Sequence, residues 1–105
     1  MPAMVFGGET EMRHVDQCLL CERHLFLTFH HLIPKKMHRR SRFQKAYTRA
    51  ELARGIWVCR ECHSAIHRFF DEMTLARDLN SLELLQAEPQ LQRHAQWLSK
   101  RRVRA

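Results

Sequence analysis

No apolar stretch in this chain approaches the roughly 20 residues that a membrane-spanning helix requires, so no partner membrane is expected. Met1–Thr10 has no basic start followed by an apolar run, which predicts no secretory signal. There is no lipidation motif, no low-complexity segment and no internal repeat beyond two Cys-x-x-Cys pairs. Acidic side chains are missing between Pro34 and Ala50, and asparagine occurs once, at Asn80. At 105 residues, the expectation is one domain in the reducing cytoplasm. A domain this short often needs a staple, and a structural metal supplies one because its binding energy becomes folding energy.

What is present points to that staple. Cys18-Leu19-Leu20-Cys21 and Cys59-Arg60-Glu61-Cys62 use every cysteine in the chain. Without a secretory signal, twice-repeated Cys-x-x-Cys spacing predicts metal ligation rather than two disulfides. Each pair places two sulfurs on one side of a metal, and two pairs complete a tetrahedron. Thiolates favour a soft ion, so Zn2+ with a structural role is expected at Cys18, Cys21, Cys59 and Cys62.

The histidines are left over for other work. His63 and His67 stand four apart, which on a helix puts both imidazoles on one face, near enough to chelate one ion. His30 and His31 are adjacent, so on a strand they face opposite sides. One of the two can turn toward the His63/His67 pair, while the other stays free to take a proton from water. Three imidazoles with an open position would hold a second divalent metal: Mg2+, Mn2+, Ni2+ or Zn2+.

The chain carries 18 Lys and Arg against 11 Asp and Glu, a net charge of +7. Seven of these cations, Lys35, Lys36, Arg39, Arg40, Arg42, Lys45 and Arg49, lie in the stretch without acids. Such a run directly after the double histidine predicts contact with nucleic-acid phosphates, double-stranded DNA above all. RNA is less expected, because few aromatics of stacking character stand near it. His38 within the stretch is expected to be a plain surface histidine. No role follows for His14, His24 or His94.

Residues 1–13 read as a flexible N-terminal segment, 14–73 as the core, and 74–105 as a C-terminal helical extension packing on it. Leu25–Ile33 is β-rich and should be a strand ended by Pro34. The basic stretch reads as loop. Thr48 and Glu51 form the capping box of a short helix, and Gly55 fits a left-handed position that closes it. Ile56-Trp57-Val58 reads as a second strand delivering Cys59. Cys62–Phe70 should be helical, followed by two more helices, one capped by Asn80 or Ser81 and one with Pro89 in its first turn. Trp97 is expected to anchor the core.

Histidine-histidine followed by Leu32-Ile33-Pro34-Lys35, and then Cys59-x-x-Cys62-His63-x-x-x-His67, resembles the HNH endonuclease family, in particular its small bacterial stand-alone members. That resemblance, spanning about Cys18 to Phe70, implies an α+β fold built on a zinc-stapled ββα-metal (treble-clef) finger with additional C-terminal helices. It implies His30, His63 and His67 as ligands of the catalytic metal and His31 as general base. It also implies hydrolysis of DNA phosphodiester bonds, by nicking or double-strand cleavage of low sequence specificity, leaving 5′-phosphate and 3′-hydroxyl ends. The sequence departs from the family where an Asn usually precedes the second knuckle; Arg54 stands nearest that place. The alternative that this departure raises is a non-catalytic zinc-finger module that binds DNA.

Overall fold

A computed structural model describes residues 14–101 and gives an α+β architecture. The expected N-terminal segment 1–13 lies outside the described residues. The β-branched and aromatic run forms β2, His24–His31, the middle strand of a three-stranded antiparallel sheet. One neighbour is β3, Gly55–Cys59, with His30 opposite Ile56 and Thr28 opposite Val58. The other is β1, His14–Gln17, in register through Val15 and Phe26. The sequence reading places no strand before Cys18. The four residues of β1 carry one large apolar side chain, Val15, and pairing to β2 makes them a strand.

The stretch that reads as loop is mostly helical. Lys35–Arg39 is a 3-10 turn, Ser41–Ala46 is helix α1, and Arg49–Leu52 is helix α2. Met37, Phe43 and Leu52 are buried there with Ile33 and Ala76 in a small apolar cluster. Tertiary burial of three residues spaced among cations outweighs a composition that otherwise favours solvent. The capping box of α2 forms as expected: Glu51 N–H donates to Thr48 Oγ1 at 3.1 Å, and Thr48 N–H donates to Glu51 Oε1 at 2.7 Å.

Gly55 does not occupy the left-handed position; Ala53 closes α2 and Gly55 opens β3. Its lack of a side chain answers a close approach instead. A Cβ there would stand 2.5 Å from the His30 carbonyl oxygen and 2.6 Å from a ring carbon of Phe29. Among the described non-glycine residues the left-handed position is taken by Glu22, at φ 68°, where the chain turns out of the first cysteine pair.

Helix α3, Arg60–Phe69, follows β3 without a gap and begins two residues before the expected start. Three helices come after it, not two: α4 Glu72–Asp78, α5 Leu82–Ala87 and α6 Pro89–Ser99. The additional one, α4, is capped by Asp71, whose carboxylate accepts from Thr74 N–H at 2.8 Å. Ser81 caps α5, while Asn80 donates to Tyr47 Oη and to the Ala76 carbonyl. Leu75, Leu85, Leu91 and Leu98 from these helices join Leu27, Ile56, Val58, Ile66 and the four cysteines in the main core. Trp97 is not part of that core; it remains 55% exposed. Leu91, Ala95 and Leu98 take the inner face of α6, which turns Trp97 outward. Among the described residues, no helix is long and apolar enough to cross a membrane.

Candidate metal centre

The first cysteine pair sits in the turn between β1 and β2, and the second joins β3 to α3. Strand pairing brings the two turns together, with Leu27 opposite Cys59. All four cysteines are buried and none is in a disulfide. Their sulfurs lie within 4.8 Å of one another, and Cys21 Sγ and Cys59 Sγ are 3.7 Å apart. Four sulfurs about 2.3 Å from a zinc in a tetrahedron stand about 3.8 Å from each other. The donor set therefore fits a structural zinc ion.

Backbone amides point at these sulfurs. Leu20, Cys21 and Cys59 N–H donate to Cys18 Sγ at 3.3–3.5 Å, and Cys62 N–H donates to Cys59 Sγ at 3.4 Å. Arg23, buried and unforeseen from the sequence, adds Nε to Cys21 Sγ at 3.3 Å and Nη2 to Cys59 Sγ at 3.7 Å. The neighbouring Cys18, Cys59 and Cys62 thiols, with Arg23, hold Cys21 far below the ordinary thiol range. Donors of this kind offset the negative charge that clustered thiolates would otherwise concentrate in a low-dielectric site. Glu61 completes the group through a 2.8 Å ion pair with Arg23.

One peptide bond past Cys62 a second cluster begins. His63 and His67 lie one turn apart on α3, and His30 reaches them from β2. Ring centroids are 5.1–5.2 Å apart for all three pairs, and one nitrogen from each ring falls within 4.8 Å of the other two. His30 is fully buried, and neither of its ring nitrogens has a hydrogen-bond partner among the described residues. Burial, and after it His63, His67 and His31, pushes His30 down to about 3; burial, His67 and His31 push His63 down to about 4. Both rings are neutral at ordinary pH, with lone pairs available. Leaving a buried imidazole wholly unpaired is costly, and a cation is the partner that suits three converging lone pairs.

Thr28, two residues before His30 and so on the same strand face, sets the orientation of His63. Its Oγ1 lies 2.8 Å from His63 Nδ1 and donates to the Val58 carbonyl at 3.1 Å. Satisfying both contacts puts the hydroxyl proton on the Val58 carbonyl, which only accepts, and makes His63 Nδ1–H the donor to the Thr28 oxygen. That leaves Nε2 of His63 as the nitrogen with a free lone pair. The alternation that puts Thr28 beside His30 is legible in the sequence; its pairing with His63 across 35 positions is not.

His31 is not among the three converging imidazoles. Its ring packs edge-on to Phe29 at 4.9 Å and lies 5.9 Å from His38. Burial, His38 and Lys35 hold its pKa below the usual imidazole value. His38 is not a plain surface residue: its Nε2 is 2.7 Å from the Ile33 carbonyl. Arg54, at the place where the resemblance calls for Asn, meets the end of β2 through its backbone, accepting from Leu32 N–H at 3.1 Å. Lys35, Lys36, Arg39, Arg40, Arg42, Lys45 and Arg49 are all exposed, along the 3-10 turn, α1 and the start of α2.

No family model matches the chain, and no solved structure matches it. It is similar to the uncharacterized protein YisB of Bacillus subtilis, with 33% identity over 84 residues, 79% of this chain and 73% of that protein.

Proposed function

The chain belongs to the family of Bacillus subtilis YisB, and we propose that it acts there as a metal-dependent HNH-type endonuclease on DNA. The observation that carries this reading is the split between adjacent histidines. His30 is buried against His63 and His67 with both ring nitrogens unpartnered, while His31 stands apart. In this reading the order β2, β3, α3 is a treble-clef finger stapled by zinc at the four cysteines. Residues 14–73 form its nuclease core, with the helices through Ser99 packed on it.

His30, His63 and His67 hold a divalent ion, which would supply Lewis-acid stabilisation to a scissile phosphodiester. His31 takes the proton of the attacking water; burial, His38 and Lys35 favour its neutral form, which has the lone pair for that task. The exposed cations from Lys35 to Arg49 bind backbone phosphates, which gives affinity with little sequence preference. The Leu32–Arg54 backbone hydrogen bond continues the β2–β3 pairing beyond His31 and steadies the strand end without an Asn.

A second reading, a DNA-binding zinc finger without catalysis, has Arg54 in its favour. Plasmid nicking with added Mg2+, Mn2+, Ni2+ or Zn2+ separates the two. Cleavage by the parent, absent from a folded and metal-loaded His31→Ala, is the expected outcome. Retained DNA binding with no cleavage under any metal would favour the second reading, and equal cleavage by both proteins would mean that His31 is not the base.

A further inference from the structure

The outward Trp97 stands in a groove of about 520 Å³ between α3 and α6, lined in part by Arg60, Ser64, Arg68 and Arg101. The Arg101 guanidinium lies over the indole at 4.5 Å, and the ring is still 55% exposed. One carboxylate lines this groove, Glu61, and it is engaged by Arg23 at 2.8 Å. No carboxylate among the described residues pairs with Arg60, Arg68 or Arg101 within 4.0 Å. An exposed indole ringed by uncompensated guanidinium groups matches a polyanion that also carries flat rings.

The α3 wall of the groove adjoins the helix face that carries His63 and His67. Arg60, Ser64 and Arg68 form one stripe of α3, and all three are exposed, as is His67. At about 100° per residue, Ser64 lies about 60° round the axis from His67. The arginine stripe thus begins where the metal face ends.

We infer that this groove binds an unpaired polynucleotide strand, a base stacking on Trp97 and the flanking phosphates meeting Arg60, Arg68 and Arg101. Arg101 leaves the indole face for a phosphate as the base enters. Duplex DNA offers no free base face here, so the groove adds a requirement that the Lys35–Arg49 stretch does not impose. That the strand is also the nuclease's substrate, DNA with an unpaired segment beside the cut, rests on the reading above; the binding itself does not.

The test uses the full chain with one equivalent of zinc, which the four thiolates take first, and no other divalent ion, titrated onto fluorescein-labelled strands of about 16 nucleotides. Oligothymidylate, an abasic strand and a duplex of equal length are compared by anisotropy. Trp97→Ala should weaken thymidylate binding about tenfold, the scale of a single base–aromatic stack, and leave the duplex unaffected. Trp97→Phe should restore most of that affinity, and Arg60→Ala with Arg68→Ala should weaken thymidylate and abasic strands alike. Thymidylate bound equally by the parent and all variants overturns the proposal. So does an abasic strand bound by the parent as tightly as thymidylate, or an equal drop in duplex affinity in Trp97→Ala. Since nothing is cut in this assay, strand binding by a protein that never nicks plasmid would refute the nuclease alone. Variants that nick normally and bind strands like the parent would refute the groove alone.

Discussion

Thr28→Val removes one hydroxyl, which faces His63 and donates to the Val58 carbonyl, and almost no volume, which makes it the sharpest perturbation of the imidazole cluster. In the parent, the Thr28 oxygen accepts from His63 Nδ1–H across 2.8 Å and so keeps the Nε2 lone pair free. A valine methyl in its place leaves that N–H unpaired and lets the ring rotate or change tautomer. A buried donor left without a partner costs about 1–3 kcal/mol. His63 is only partly buried, so water can recover some of this, and the lower part of the range applies. About 1.4 kcal/mol is tenfold in a dissociation constant, at the lower end of the roughly 10–100-fold expected on removing an outer-shell partner of a metal ligand. Calorimetric titration of the zinc-loaded protein with Ni2+ or Mn2+ should give a Kd about tenfold higher for Thr28→Val, with Thr28→Ser close to the parent. A folded Thr28→Val with the parent's Kd would refute the tautomer argument. So would a Thr28→Ser that binds as weakly as Thr28→Val, because it keeps the hydroxyl.

Cys59→Ser, or removal of zinc by a chelator, should unfold the protein as followed by far-UV circular dichroism. Structural zinc binding of about 10–16 kcal/mol exceeds or matches the whole net stability of a typical domain, about 5–15 kcal/mol. Gly55→Ala should lower stability by about 1–3 kcal/mol in urea unfolding, because the added methyl meets the His30 carbonyl and the Phe29 ring, and the backbone of β2 must shift to admit it. Replacing Arg40, Arg42 and Lys45 by alanine should flatten the salt dependence of duplex binding. The expected change in slope is about 0.9 for each phosphate that the variant no longer neutralises, with no change in melting temperature.

The parts of this protein written in local spacing are legible in its sequence. The two cysteine turns, the β-rich run of β2 (which ends at His31, three residues short of Pro34), the Thr48/Glu51 box and the Pro89 helix start each depend on residues within a few positions. The candidate ligands His63 and His67 share a helix face for the same reason. What local spacing does not reveal is set across the chain. β1 exists because β2 offers an edge to pair with. Helix α1 folds because Phe43 finds Ile33, Leu52 and Ala76. Arg23 reaches the sulfur of a cysteine 36 positions away, an approach that no spacing rule encodes. Composition suggests a turn for Gly55, yet its reason is a neighbouring strand. Asp71 is the exception: its cap is local, but it shows only once α4 is separated from α3.

Cys62 and His63 are consecutive, so one helical turn supplies a ligand to each cluster. On the proposed reading, in which each cluster holds an ion, occupancy of the two is coupled. An ion among the thiolates pins the start of α3 and spares the imidazoles the entropy of finding their places. By thermodynamic reciprocity, an ion among the imidazoles tightens the hold on the first. Starved of zinc, such a molecule would lose its grip on both metals together, going dormant in a single step instead of fading by degrees.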